Sequence, residues 1–405
     1  MSDCRSAGSG SLFAVKAARI IPVASDVLEN GYLVIRDGRI EAVTASLGAD
    51  AEIPVEDYGD AVIFPGIIDA SSHLGINKEP FNYYSEIWDG MDSAEMISPE
   101  MRAADAVNPR DKALDAAGRF GITAVYAAAG HGNLVDGRGT VIKLRTAETA
   151  GEMILAGTEQ MNFTVGAMAL ATARDEKKPP RTRMGMMKML RDVLREASAL
   201  VGKDKESAEW KAASSAAKEL VPVTAGKMTA RMYAETAQDI VLAVELAEEF
   251  GLDYILDGAQ EAFLLPEFMK RHRPKTVLCG VPFGPMQTTV VNTVNLDLRT
   301  AGMLEQWGCP LALTADAVTN TARLPMFAGL QTAYGLSRKT AYRAITIEAA
   351  KMLNIGDRTG SLEQGKDADF AVWTGDPLEN TSACLGTWVD GKRVYSAKEA
   401  EEWNS

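Results

Sequence analysis

Histidine is scarce in this chain: only His73, His131 and His272 occur among 405 residues. Three imidazoles limit any metal chemistry that can be assigned to it, because catalytic zinc sites draw heavily on histidine. Cysteine is nearly as rare. Cys4, Cys279, Cys309 and Cys384 lie far apart with no CxxC pair, which excludes a disulfide framework and reads as thiols in a reducing compartment. Long apolar runs are missing, so no membrane span is expected. The first residues carry no basic stretch followed by an apolar core, so no secretory leader is expected and the location is expected to be cytoplasmic. Positive charge is in deficit, 42 Lys and Arg against 55 Asp and Glu, a net charge of -13. Such a surface repels phosphate backbones, and nucleic acid is not an expected partner.

What is present is ordinary globular material, 46% hydrophobic and 24% charged. The length holds one large domain with a small satellite, or two to three average domains. Both ends read as short strands. Residues 13–15, 32–36 and 40–43 are strand-like, with Asp37-Gly38 as a hairpin turn. Residues 369–373 alternate in the same way, and 388–395 form another hairpin around Asp390-Gly391. The two ends therefore have the means to pair into one β element. The middle alternates apolar strand-length runs, at 61–68, 121–128, 140–144, 163–170, 227–233, 253–256, 276–278 and 310–314, with helical stretches such as 239–250 and 338–353. Apolar strands alternating with helices indicate a parallel sheet covered by helices, and eight of them suit a (β/α)₈ barrel. A doubly wound open sheet competes, but no Gly-rich turn follows the first strand. Residues 177–219 read as a charged, helix-prone insertion.

The run Val62-Ile63-Phe64-Pro65-Gly66-Ile67-Ile68-Asp69-Ala70-Ser71-Ser72-His73 resembles the first barrel strand of the amidohydrolase superfamily, Pro-Gly-(Leu/Ile)-Ile-Asp-x-His-x-His. Residues 360–369, Gly-Ser-Leu-Glu-Gln-Gly-Lys-Asp-Ala-Asp, look like the return into that superfamily's small β domain. Residues 344–353 and Leu313-Thr314-Ala315-Asp316 fit in the same order. In style the chain is most similar to imidazolonepropionase-like amidohydrolases. The resemblance implies an α/β fold: a (β/α)₈ TIM barrel at 63–358 and a small β-sandwich built from 1–62 and 359–405.

It also implies one or two divalent metals at the barrel mouth, where barrel active sites sit. Such a metal acidifies a bound water and polarises the scissile carbonyl. Carried over by position, the ligand set degrades. Ser71 stands where the first histidine belongs, and His73 keeps the second. The fifth-strand position is Tyr233, the sixth is Asp257, and the fourth-strand bridging position falls near Ala167 or Met168. Asp316 keeps the eighth-strand aspartate, the catalytic proton shuttle. The remaining metal set is His73, Asp257 and Asp316. His131, Tyr233 and Lys143 are the candidate substrate contacts, Lys143 because the relatives often carry a lysine there. Each has a plainer role open to it: His73 and Asp316 as hydrogen-bonded remnants, Asp257 as a solvated strand end, Tyr233 as packing. His272 sits in a basic run and reads as surface. The run from Arg174 to Arg195 reads as a solvated charged helix or a receiver for an acidic ligand.

Two functions follow from the resemblance. One is a non-catalytic pseudoenzyme, a barrel kept for assembly or for a small-molecule ligand at its mouth. It would act as a homo-oligomer, or as a hetero-oligomer with an active amidohydrolase paralogue, and hold no cofactor or one weakly bound divalent metal, zinc first. The other is an active hydrolase of cyclic amide or C–N bonds with a reduced mononuclear or metal-free site. A third class is a pure interaction scaffold. Fold alone does not fix the substrate.

Overall fold

A computed structural model describes residues 11–48, 52–76, 89–272, 274–280, 295–315 and 318–398, with the side chains of 318–320 left aside. Two eight-stranded sheets organise it. The first joins strands from both ends of the chain: β1 (Leu12–Ile20), β2 (Leu28–Arg36), β3 (Arg39–Thr44), β4 (Val55–Asp57) and β5 (Val62–Pro65) with β14 (Phe370–Trp373), β15 (Cys384–Val389) and β16 (Lys392–Ser396). The junction is the antiparallel pair β5·β14, Val62 opposite Trp373 and Pro65 opposite Phe370. The two expected hairpins close in two-residue loops. Asp37-Gly38 and Asp390-Gly391 all have positive φ, which only Asn, Asp and Gly adopt readily.

The second sheet runs β6 (Ile67–Ser72), β7 (Ile122–Ala127), β8 (Val135–Lys143), β9 (Gln160–Thr164), β10 (Ala230–Ala234), β11 (Tyr254–Gly258), β12 (Val277–Gly280), β13 (Leu311–Thr314). It curls until β13 meets β6, where Thr314 Oγ1 lies across the seam within hydrogen-bond distance of Asp69 Oδ1 (2.6 Å) and Ser71 O (2.8 Å). This is a nearly closed barrel. It departs from strict (β/α)₈ alternation at one strand, since β8 runs antiparallel to both β7 and β9. The connection 128–134 between β7 and β8 is too short to hold a crossover helix, and a short connection can only reverse the chain.

Side-chain alternation sorts the barrel wall. Ile68, Ala124, Val141, Ile255, Leu278 and Ala312 form an inner apolar layer, while Ile67, Val125, Ile142, Met232, Leu256 and Leu313 face the helices outside. Two sequence expectations shift. The strand placed at 163–170 ends at Thr164, because Gly166, at φ 133° and packed so that a Cβ would lie 2.5 Å from Asp239 Oδ2, turns the chain into the helix Ala167–Asp175. The helix at 338–353 is two helices, Arg338–Ala344 and Ile347–Met352, split where Ile345 O accepts from Ile68 N of β6 at 2.9 Å. The insertion is helical as expected, at Arg183–Leu200, Ala208–Ala212 and Ser215–Thr224. No helix among the described residues is long and apolar enough to cross a membrane.

Candidate functional site at the barrel mouth

The C-terminal ends of the parallel strands gather a polar cluster around one buried cation. Arg231, the second residue of β10, points into the barrel and is 2% exposed. Its Nη2 donates to Asp257 Oδ2 (2.7 Å) and to Ala70 O (2.7 Å), its Nε to Asp257 Oδ2 (3.1 Å) and its Nη1 to Gln160 Oε1 (3.2 Å). The guanidinium also lies 4.1 Å from the ring centre of Tyr126. One side chain thereby ties β6, β7, β9, β10 and β11 together. A buried charge survives only when its hydrogen bonds are matched, and Arg231 is matched on all three nitrogens.

Above this pair sit the residues singled out in the sequence. His73 directly follows β6, with Nδ1 2.7 Å from Ala128 O. His131 lies on the loop after β7 and stacks on Tyr233, ring centres 3.6 Å apart and 6° from parallel. The two imidazoles are 6.3 Å apart, centre to centre. Burial lowers the basicity of both, His131 to about 3, so both rings are neutral near pH 7. Tyr233 donates to Glu235 Oε1 at 2.7 Å. Burial pushes the Glu235 carboxyl up to about 7, helped by the neighbouring charges of Asp239, Asp257 and Glu261. Three buried atoms here lack a hydrogen-bond partner: Asp257 Oδ1, Glu235 Oε2 and His131 Nδ1.

The structure thus brings His73, His131, Tyr233 and Asp257 to one mouth. Asp316 lies outside the described residues. Lys143 is elsewhere. Because β8 runs downward, its last residue emerges at the opposite end of the barrel, where Lys143 Nζ meets Asp367 (2.8 Å), Asp369 (2.9 Å) and Asp390 (2.5 Å) of the terminal sheet and its approach. That position corrects the expectation of a mouth lysine: its ammonium is fully enclosed by carboxylates. Ala167 and Met168 start a helix rather than ending a strand. His272 hydrogen-bonds Glu248 at 2.8 Å and stacks on Phe268. In the basic run, Arg174, Arg183, Lys188, Arg191 and Arg195 all pair with carboxylates.

Arg231, Gln160 and Glu235 were not singled out from sequence. A signal existed for Arg231, the one charge in the strand Ala-Arg-Met-Tyr-Ala, since a charge inside an apolar strand requires a buried partner.

Similarity to known proteins agrees with this geometry. The model of the Amidohydrolase family matches residues 309–395, from β13 through the return into the terminal sheet. An amidohydrolase from Thermotoga maritima MSB8 superposes with a TM-score of 0.84 at 28% identity, covering 95% of this chain and 100% of that one. Imidazolonepropionase of Shewanella baltica (strain OS185) is 25% identical across 85% of this chain and 87% of its own length. The chain is an imidazolonepropionase-like member of the amidohydrolase superfamily. Amidohydrolase tasK of Hapsidospora irregularis is 24% identical across 90% of this chain, but the match spans only 40% of that protein. A prolidase complexed with N-methylphosphonate-L-proline shares the fold at 14% identity and a TM-score of 0.55, covering 95% of this chain and 100% of that one.

The amidohydrolase frame raises the question of its metal, and the described residues do not fit one. Position 71 is serine and position 233 tyrosine. Asp257 already shares one oxygen with a guanidinium, whose positive charge repels a divalent ion close by. Among the described residues only Asp367, Asp369 and Asp390 bring three donor atoms within 4.8 Å of one another. Lys143 Nζ occupies that cluster, so a cation is already in place.

Proposed function

We propose that this amidohydrolase-superfamily protein is a non-catalytic barrel, binding a small molecule at its mouth and serving as a subunit or partner of an active relative. The observation that carries the reading is the Arg231–Asp257 ion pair, which puts a fixed protein cation against the one carboxylate that stands at the sixth-strand ligand position. A guanidinium does not acidify a water as zinc does. Homo- or hetero-oligomerisation, a cytoplasmic location and a division of the chain at 62 and 358 with a β-sandwich at the ends belong to the same proposal, as do the assignments of Asp316, His73 and Asp257 to a vestigial metal set. The test is metal analysis of protein purified without chelators, paired with turnover assays on cyclic amides and lactones. The expected result is far less than one zinc per chain and no turnover. One zinc per chain held by His73 and Asp257 overturns the reading.

A second reading, a hydrolase working without a metal, is supported by Glu235. A carboxyl titrating near 7 with one unspent oxygen suits a general base. Turnover that survives metal removal and disappears in Glu235→Gln would select it.

A further inference from the structure

Two of the three unspent buried atoms at the mouth are carboxylate oxygens, which only accept, and these say what the ligand must bring. Asp257 is 1% exposed and Glu235 is 7% exposed, yet Asp257 Oδ1 and Glu235 Oε2 accept nothing. A buried carboxylate oxygen without a donor is expensive in free energy, and such atoms persist where another molecule supplies the donor. Two neighbouring donors among the described residues are committed. Arg231 spends its nitrogens on Asp257, Gln160 and Ala70, beneath the mouth. The Tyr233 hydroxyl is given to Glu235 Oε1.

Charge points the same way. Arg231 balances Asp257, which leaves Glu235 without a cation among the described residues, and its carboxyl feels Asp239, Asp257 and Glu261 as like charges. Asp239 is itself neutralised by Arg183, and Glu261 accepts from Ala237 N and Asn295. Beside these carboxylates lies a flat aromatic wall, the stacked rings of His131 and Tyr233.

We infer that the mouth recognises a ligand with a cationic, multiply N–H-bearing head group (amidinium, guanidinium or ammonium), seated against Glu235 Oε2 and Asp257 Oδ1. This rests on the preceding reading that no divalent metal neutralises those carboxylates. A planar amidinium offers paired N–H donors to carboxylate oxygens, the arrangement that makes arginine–carboxylate contacts strong. An anionic ligand finds no unspent cation among the described residues of the mouth.

The test uses three probes of one shape: acetamidinium, acetamide and acetate. Binding to the full chain is followed by ligand-observed NMR titration, with zinc content measured on the same sample. Acetamidinium is expected to bind about tenfold tighter than acetamide, and acetate more weakly still. Glu235→Gln is expected to abolish the preference for acetamidinium over acetamide. The exposed Glu267→Gln, a carboxylate paired with Lys270 on the surface, serves as the control and should change nothing. Acetate binding as tightly as acetamidinium, no binding by any probe, or an unaltered preference in Glu235→Gln overturns the inference. Stoichiometric zinc in the sample overturns the metal-free reading instead, so the two failures are told apart.

Discussion

Two buried cations hold this barrel, one at each end, and their surroundings differ in completeness. At the bottom, Lys143 faces three aspartates, and these are backed by further cations: Arg39 and Arg358 on Asp367, Arg145 on Asp390. Asp369 also accepts from Thr359 Oγ1 and Asp390 N. Burial works against the Lys143 charge, but Asp369, Asp390 and Asp367 outweigh it and hold the ammonium above its ordinary pKa. At the mouth, Arg231 has its nitrogens matched, but Asp257 and Glu235 each keep an idle oxygen. Around Lys143, among the described residues, the carboxylates are all paired with cations and only the Arg145 Nε donor is left over, as suits a structural joint, whereas idle carboxylate oxygens at a barrel mouth suit a binding site.

The largest expected effect comes from breaking the closed end. Lys143→Met leaves Asp369 enclosed without a cation and should lower unfolding free energy by about 5 kcal/mol, measured by urea denaturation. The terminal sheet should loosen first, seen as faster amide exchange in β14 and β15. Arg231→Met should remove less, about 3 kcal/mol, because Asp257 can take up a proton and its second oxygen is already unsatisfied. A larger loss at Arg231 than at Lys143 would reverse the assignment of joint and site.

Next in size is a pH effect from a carboxyl beside the mouth. Asp136 is enclosed, accepting from Asn133 N and Thr164 Oγ1, and burial lifts it from 3.8 to about 8. Across that interval the folded chain keeps a proton that the unfolded chain has released, so rising pH lowers stability, by about 1.4 kcal/mol per pH unit for one such group. His131, depressed from 6.5 to about 3, contributes stability that is present above pH 6.5 and lost as pH falls below it. Between pH 6.5 and 8 the carboxyl therefore dominates. Stability should fall across that window, and Asp136→Asn should flatten the fall in urea titrations at several pH values. The smallest effect belongs to Glu235→Gln, expected within about 1 kcal/mol of the parent because the amide keeps the Tyr233 hydrogen bond and sheds a repelled charge.

Much of the fold was legible, and for local reasons. Asp37-Gly38 and Asp390-Gly391 dictate their turns by backbone conformation alone, and the eight apolar runs announce a barrel by periodicity. The reversed β8 was not legible, since apolar content is the same whichever way a strand runs and only the brevity of its connections gives it away. At the site, the resemblance led to the positions of His73, Tyr233 and Asp257, and the scarcity of histidine drew attention to His131. It missed that Arg231 reaches across from the same strand as Tyr233 to claim Asp257. It also put Lys143 at the wrong end, because strand direction decides which end a residue reaches. Long-range pairing of this kind leaves no mark in residue spacing.

The β5·β14 junction has a consequence for the order in which the molecule comes into being. β1 to β5 leave a ribosome early, but the strand that completes their hydrogen bonding, β14, follows only after the whole barrel has been made. Until then β5 presents an unmatched edge, the kind of template on which chains pair wrongly. Lys143 waits equally long for its aspartates. Synthesis and final assembly are therefore separated in time, and the barrel has to hold its shape without that sheet until the last strands arrive.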